Sequence, residues 1–229
     1  MVLPLDVILD ENQKSLIICD FENRRVVRCS LDKQENMQIL IENIECVGLV
    51  MNENGDLFVS IQVKHEVKRW RKGEIGKGEG TIVAGGNGEG NKLNQLNYPT
   101  FIFIDRQETV YVSDLDNHRV MKWLKGAKEG IVVAGGQGEG NHLNQLSSPM
   151  GLIVNEVGDV YVADYVNNRI MCWSLGSKEG YIVVGGNGEG EGSNQLNLPS
   201  GLSFDVENNL YVVDQSNHRI QQFSVDTDY

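Results

Sequence analysis

The sequence predicts an all-β fold, a β-propeller built from about five four-stranded blades. Three observations support this prediction: a glycine-rich motif recurs every 50 residues, short apolar segments bounded by turn residues accompany each copy, and 26 glycines stand against only 4 prolines in 229 residues. Such a composition favours a globular chain with many tight turns. Four strands in roughly 40 to 50 residues is the size of a propeller blade.

The repeat is clearest in the glycine-rich motif, which occurs as GGNGEG at 85–90, GGQGEG at 135–140 and GGNGEG at 185–190. The segment VYVSDLDNHRVMKW at 110–123 recurs with the same spacing, and two weaker copies of it lie upstream, at 16–29 and 57–70. We therefore expect one propeller domain over residues 1–229, with blades at approximately 5–46, 47–97, 98–147, 148–197 and 198–229.

The third repeat shows the four strand signals of one blade in order. They are FIFID at 101–105, VYVSD at 110–114, RVMKW at 119–123 and IVVA at 131–134. Each is apolar, β-branched or aromatic and is bounded by turn-forming residues, as strands require. A 3.6-residue apolar period and an LxxLxL ladder are both missing, so helical and leucine-rich solenoids fit badly.

The segment YVSDLDNHRVMKW, with Asn117, His118 and Arg119 at its centre, resembles the NHL repeat. The pattern returns at 167–169 and 217–219. The resemblance implies a β-propeller that usually closes with six blades. The second repeat departs most from it, because Ile61, Lys64 and Glu66 occupy the usual Asp, Asn and Arg positions.

The number of blades leaves three readings open. The last repeat ends in FSVDTDY at 223–229, before a fourth strand, and the first repeat begins near Asp6, which leaves no spare strand to complete the last sheet. We expect a fragment of a six-bladed parent, a five-bladed closure, or completion by a strand or blade from another chain. An unpaired edge strand would favour association.

The Asp, Asn and Arg residues between the second and third strands predict a structural brace. They recur in every clear repeat, as in Asp114, Asn117 and Arg119. Asp and Asn satisfy turn N–H groups, and Arg can bridge a carboxylate and carbonyls of neighbouring blades. Catalysis needs one asymmetric constellation, so we expect no catalytic residues here.

The cysteines and histidines suggest neither a metal nor a redox centre. Cys19, Cys29, Cys46 and Cys172 have no CxxC spacing, and we expect buried thiols in a reducing compartment, with a Cys19–Cys29 disulfide left open. Three of the four histidines (His65, His118, His142 and His218) occupy one repeat position in separate blades, and HExxH and GxSxG motifs are missing. We therefore expect a protein that is not an enzyme and has no cofactor or metal.

The glycine-rich loops predict an interaction surface. They lack the GK[ST] ending and the following helix of a phosphate-binding loop. Tracing the strands places them on the same face as the Asn-His-Arg turns, where polar side chains suit recognition. The candidate residues are Asn87, Glu89, Asn94, Gln95, Tyr98, Glu139, Asn144, Gln145, Glu189, Asn194 and Gln195.

A basic stretch from 64 to 77 forms a second candidate site. Six cations beside Trp70 oppose Glu66 and Glu74, and such a mixture can hold single-stranded RNA by phosphate contact and stacking. A solvated blade edge is the alternative explanation. The cations are Lys64, Lys68, Arg69, Arg71, Lys72 and Lys77.

These observations favour a non-catalytic protein-interaction module, as the resemblance to the recognition domains of NHL-containing ubiquitin ligases implies. RNA binding is the alternative, although the net charge of −12 opposes it and opposes DNA binding. A metal-dependent lyase of the peptide-amidating type, which has a similar propeller, is a third reading. The sequence shows no leader or membrane span, so we expect a cytoplasmic protein.

Overall fold

A computed structural model describes residues 4–32 and 37–225 of the chain. Within these residues the regular structure consists of β-strands and four one-turn 3-10 helices. The strands form five antiparallel sheets in which neighbours in sequence pair with each other, four with four strands and the last with three. The predicted all-β fold of NHL-type propeller blades is confirmed.

The strands of the first two blades are β1 (Pro4–Asp10), β2 (Ser15–Asp20), β3 (Arg25–Ser30), β4 (Met37–Glu42), β5 (Cys46–Met51), β6 (Leu57–Ile61), β7 (Glu66–Trp70) and β8 (Thr81–Gly85). Those of the third and fourth blades are β9 (Pro99–Ile104), β10 (Val110–Asp114), β11 (Arg119–Trp123), β12 (Ile131–Gly135), β13 (Pro149–Val154), β14 (Val160–Asp164), β15 (Arg169–Trp173) and β16 (Tyr181–Gly185). The last blade contains β17 (Pro199–Phe204), β18 (Asn209–Asp214) and β19 (Arg219–Ser224).

The strands predicted for the third repeat match the structure closely. The second and third begin and end at the predicted residues, and the other two differ by one or two residues at an end. The predicted terminal segment 223–229 is described only as far as residue 225. Helices in the described part of the chain are all too short to span a bilayer.

The chain forms two compact units, one of residues 1–111 with 123–130 and the other of residues 112–122 with 131–229. The first unit is built around a buried cluster that includes Ile17, Leu57 and Trp70. The second has a cluster that includes Ile170, Leu196 and Leu210. In both clusters, alternate residues of neighbouring blades supply the apolar faces, as the two-residue period of a strand requires.

Glycine permits the close approach of the first strands of neighbouring blades. A Cβ atom on Gly48 would lie 2.6 Å from the carbonyl oxygen of Thr100, and one on Gly151 would lie 2.5 Å from that of Ser200. Both distances are far inside van der Waals contact. Any side chain at these two positions would therefore force the blades apart.

The cysteine prediction is corrected in one respect. Cys19 and Cys46 form a disulfide with a Cα–Cα distance of 5.7 Å, whereas Cys29 and Cys172 are free. The register of β2 and β3 pairs Cys19 with Val26 and Cys29 with Leu16, which places the two cysteines on opposite faces of the sheet. Cys19 instead points toward the second blade, where Cys46 begins β5.

Candidate functional site

A buried ion pair anchors the turn between the second and third strands of the fourth blade. Arg169 Nε donates to Asp164 Oδ2 over 2.7 Å, and Asn167 Nδ2 donates to the same oxygen over 2.9 Å. The Asp164 side chain is fully buried and the Arg169 side chain is 5% exposed. Burial raises the pKa of Asp164, and hydrogen bonds from Ser147, Asn167 and Arg169 oppose that rise.

The same arrangement recurs in the other blades that keep the motif. The Arg–Asp distance is 2.7 Å for Arg119 and Arg219 and 2.8 Å for Arg25. The second blade, with Ile61 and Glu66 at these positions, instead pairs Glu66 with Lys68 over 3.4 Å. The ion pair is thus a property of the repeat.

The arginine also fixes the glycine-rich loop of the preceding blade. Arg169 Nη1 donates to the carbonyl of Asn141 over 2.8 Å, and its Nη2 donates to those of His142 and Gln145 over 3.2 and 3.3 Å. Arg219 makes the same three kinds of bond to residues 191, 192 and 195. This geometry agrees with the expected brace between blades.

The three loops are named loop 1 (86–98), loop 2 (136–148) and loop 3 (186–198). In each loop, one glutamine side chain near the end of the loop donates hydrogen bonds to backbone carbonyls near its start. Gln145 Nε2 donates to the carbonyls of Gln137 and Glu139 over 3.1 and 3.5 Å. Gln95 and Gln195 do the same in the other two loops. The loops are therefore preorganised by their own side chains.

The residue that ends the turn between the second and third strands has a left-handed backbone, and in the third and fourth blades its side chain accepts a bond from the loop that follows that blade. His118 has φ 50° and Asn168 has φ 53°. The backbone N–H of Ser148 donates to His118 Nδ1 over 3.1 Å, and that of Leu198 donates to Asn168 Oδ1 over 2.8 Å. Histidine and asparagine serve equally because both carry an acceptor at this reach, which explains the recurrent histidine without a metal.

In the second unit, the turn of the fourth blade joins loops 2 and 3. Asn167 Nδ2 donates to the carbonyl of Gly140 in loop 2, over 2.8 Å, while its neighbour Asn168 accepts the bond from Leu198 in loop 3. Loop 2, this turn and loop 3 therefore form one continuous surface, which we call the 2–3 surface.

Two exposed apolar side chains lie on the 2–3 surface. Leu143 of loop 2 is 44% exposed and Val166 of the turn is 48% exposed. Neither was among the candidates from the sequence. A signal was present for Leu143, because a leucine interrupts an otherwise polar, glycine-rich loop with a tight bracing network.

The predicted interaction residues divide into two groups in the structure. The side-chain amides of Asn87 and of the three glutamines donate to backbone carbonyls of their own loops, and the carbonyl oxygen of Asn94 accepts one of the bonds from Asn87. The glutamates lie at the exposed loop tips. Tyr98 is 40% exposed. In loops 2 and 3, an asparagine (Asn144 or Asn194) precedes the bracing glutamine. The side chain of Glu139 accepts a hydrogen bond from Ser147 over 2.8 Å, and that of Glu189 accepts one from Asn197 over 3.1 Å.

The predicted basic stretch does not form one patch. Lys64 lies in the 3-10 turn before β7, whereas Arg71, Lys72 and Lys77 follow that strand at its other end and are exposed. Between them, Lys68 and Arg69 are half-buried and paired with carboxylates. The structure therefore brings together three of the six cations.

A clustered set of His, Cys, Asp and Glu side chains able to hold a metal ion is not found among the described residues. The strongest electrostatic perturbation in the first unit is at Asp6 on β1. Burial raises its pKa to about 6, against hydrogen bonds from the backbone of Leu49 and Val7. The carboxylate accepts the Leu49 N–H over 2.7 Å and so links β1 to β5.

The NHL repeat family model matches residues 196–223. No curated protein matches the chain in sequence. An auxiliary nutrient binding protein from Bacteroides thetaiotaomicron VPI-5482 is structurally similar, with a TM-score of 0.74, 17% identity, and coverage of 96% of this chain and 58% of that one.

Two further solved structures with similar folds are enzymes by their descriptions. A gluconolactonase from Xanthomonas campestris has a TM-score of 0.70 and 15% identity, covering 98% of this chain and 76% of that one. A catalytically inactive virginiamycin B lyase from Staphylococcus aureus, solved with quinupristin, has a TM-score of 0.60 and 9% identity, covering 98% and 71%. At these identities the likeness shows the fold alone.

The repeat match and the blade architecture agree with each other. Residues 196–223 run from the end of loop 3 through the three strands of the last blade, and the fourth blade has the same turn network as the last. The last blade thus matches the NHL repeat, in a chain built of β-propeller blades.

Proposed function

We propose that this chain is a protein-binding module whose partner docks on the 2–3 surface. The observation that carries the proposal is the pair of exposed apolar side chains, Leu143 and Val166, on loops that internal hydrogen bonds hold in place. Preorganised loops lose little conformational freedom on binding, and a few side chains that become buried carry most of the affinity of a typical interface.

The charge of the surface indicates the chemistry of the partner. Glu139, Glu189 and Glu191 are exposed around the apolar residues, and the chain as a whole carries a net charge of −12. Complementary charges speed association and favour the correct partner. We therefore expect a partner that presents an apolar side chain flanked by lysine or arginine.

The test removes the two apolar side chains and compares capture of partners from a lysate of the source cells. The variant is Leu143→Ser with Val166→Ser. The matched control is Val157→Ser with Leu175→Ser, which removes two side chains that are 69% and 66% exposed in the same unit but lie in other turns. Bound proteins are quantified by mass spectrometry, with and without ribonuclease.

We expect proteins that bind the wild type and the control, are at least tenfold depleted on the variant, and are insensitive to ribonuclease. Equal capture by all three chains would overturn the proposal. Enriched RNA that depends on Arg71 and Lys72, and whose removal releases the proteins, would instead support the RNA reading. Hydrolysis of a lactone or lyase activity in the purified chain would favour an enzyme.

A further inference from the structure

A cleft of about 700 Å³ lies in the first unit between the second blade and part of the third. One wall is β8, and the other is the turn at 124–129 that follows β11. Its volume falls within the range of small-molecule sites, about 300 to 1,000 Å³. We call it the 2/3 cleft. It shares no residue with the 2–3 surface.

The cleft holds a cation pair around one carboxylate. Arg69 Nη1 lies 3.3 Å from Glu108 Oε2, and Lys125 Nζ lies 3.0 Å from the same oxygen. Lys128 and Glu129 also line the cleft. Three cations against two carboxylates make the lining net positive, although the whole chain carries −12. This local excess favours an anionic ligand.

The guanidinium of Arg69 is not saturated by the chain. Its side chain is 18% exposed, and its Nε is buried without a hydrogen-bond partner. Arginine has five N–H donors, and a buried donor without a partner costs free energy unless a further group satisfies it. A further acceptor in the cleft would reach the guanidinium through its exposed part and not through Nε.

Apolar side chains line the cleft beside these charges. Leu124 of the facing turn is 52% exposed, and Val83 of β8 is half-buried on the sheet face that carries Arg69. A ligand in the cleft would therefore bury hydrocarbon as well as bind through an anionic group. The two features together select an amphipathic acid.

The equivalent position one repeat earlier offers an internal comparison. Arg28 corresponds to Arg69, its Nε is likewise buried without a partner, and it pairs with Asp10 over 3.2 Å. The cleft beside it measures only about 100 Å³. One repeat later, Gly158 and Leu175 replace Glu108 and Lys125. The large, charged cleft thus belongs to this blade pair and not to the repeat in general.

We propose that the 2/3 cleft binds a small organic carboxylate whose carboxyl group pairs with Arg69 and Lys125 in competition with Glu108. The hydrocarbon part of the ligand packs on Val83 and Leu124. This inference is independent of the proposed function, since a failed partner test on the 2–3 surface leaves the cleft untouched, and the reverse is also true.

The probe is 4-phenylbutyrate, with its neutral amide, 4-phenylbutanamide, as the matched control ligand. Binding to the full chain is followed by ¹⁵N–¹H spectra through the indole N–H of Trp123 and the backbone amide of Gly126, both of which line the cleft. We expect saturable shifts of both signals with the acid and at least about tenfold weaker binding of the amide, because a charge-assisted bond is lost.

Three variants test the assignment of the residues. Arg69→Gln should weaken acid binding about tenfold and Lys125→Gln, at a 63% exposed side chain, a few-fold. Glu108→Gln should strengthen it a few-fold, because a competing carboxylate is removed. Arg28→Gln is the control and should leave the dissociation constant unchanged.

Opposite effects of Glu108→Gln and Lys125→Gln would be hard to explain by misfolding, so they keep the test decisive even if Arg69→Gln lowers stability. The proposal is overturned if neither signal shifts saturably, if acid and amide bind equally, or if Arg28→Gln weakens binding as much as Arg69→Gln.

Discussion

Removing Arg169 should destabilise the protein far more than removing Arg219, although both make the same contacts. Arg169 bonds to Asp164 and to three carbonyls of loop 2, and its side chain is 5% exposed. In Arg169→Ala the fully buried carboxylate of Asp164 would lose its cation and keep hydrogen bonds from the Ser147 N–H and the Asn167 amide. Breaking one side of a buried ion pair typically costs about 3–5 kcal/mol.

The Arg219 side chain is 32% exposed, so water can replace much of what it provides to Asp214. Screening by solvent reduces such a pair to roughly 1 kcal/mol, or about 2 kcal/mol with the loop carbonyls included. In a chain of this length each kcal/mol lowers the melting temperature by about 2–4 °C. Arg169→Ala should therefore lower it by about 10 °C and Arg219→Ala by about 5 °C or less.

Thermal unfolding followed by circular dichroism measures both values. The double variant Asp164→Ala with Arg169→Ala should be more stable than the sum of the two single variants predicts, because it leaves no unpaired buried charge. Arg169→Ala alone should also gain stability as the pH falls, because Asp164, whose pKa burial already raises, takes up a proton more readily in the folded chain than in the unfolded one. Equal losses for the two arginine variants, or strict additivity in the double variant, would refute this reasoning.

Three further predictions concern other parts of the structure. The pKa of Asp6 is raised to about 6 in the folded chain, so wild-type stability should fall as the pH rises from about 4 to about 6. Asp6→Asn should remove that slope and raise the free energy of unfolding at pH 7 by about 3 kcal/mol. Urea unfolding across this pH range measures both effects, and an unchanged slope would contradict the prediction. Cys46→Ser opens a disulfide that spans 27 residues and should lower the free energy of unfolding by about 3.5 kcal/mol through loop-closure entropy. This loss should be seen only without reductant, so an equal loss in dithiothreitol would argue against the bond with Cys19. Gln145→Ala should release loop 2 and accelerate its proteolysis while the blades keep their amide exchange protection, whereas unaltered cleavage would show that Arg169 alone holds the loop.

The strands could be predicted from the sequence because the fold is encoded locally in every repeat. Alternating apolar residues and turn signals specify each strand, and five copies reinforce one another. The role of the recurring arginine also followed from its repetition, since three carbonyls and a carboxylate are what a guanidinium satisfies best.

The rest depends on contacts between residues that are distant in sequence. The Cys19–Cys46 pairing depends on which sheet face each cysteine occupies, and the exposure of Leu143 depends on how loop 2 is folded back. Lys64 and Arg71 are separated because β7 lies between them, and they flank its opposite ends. Such features emerge only when strand register and loop path are fixed.

The loop network has a consequence for how such a surface could diversify. The side chains of Gln145 and Arg169 bond to main-chain oxygens, which every amino acid supplies. The residues whose carbonyls are used can therefore change identity while the loop keeps its path, and they do. The three positions read Asn, Asn and Lys at 87, 91 and 92, Gln, Asn and His at 137, 141 and 142, and Asn, Glu and Gly at 187, 191 and 192. The hydrogen-bonded loop backbone thus keeps its conformation while the side chains that it displays change. New binding specificities could therefore arise by substitution at three residues per blade with little loss of stability.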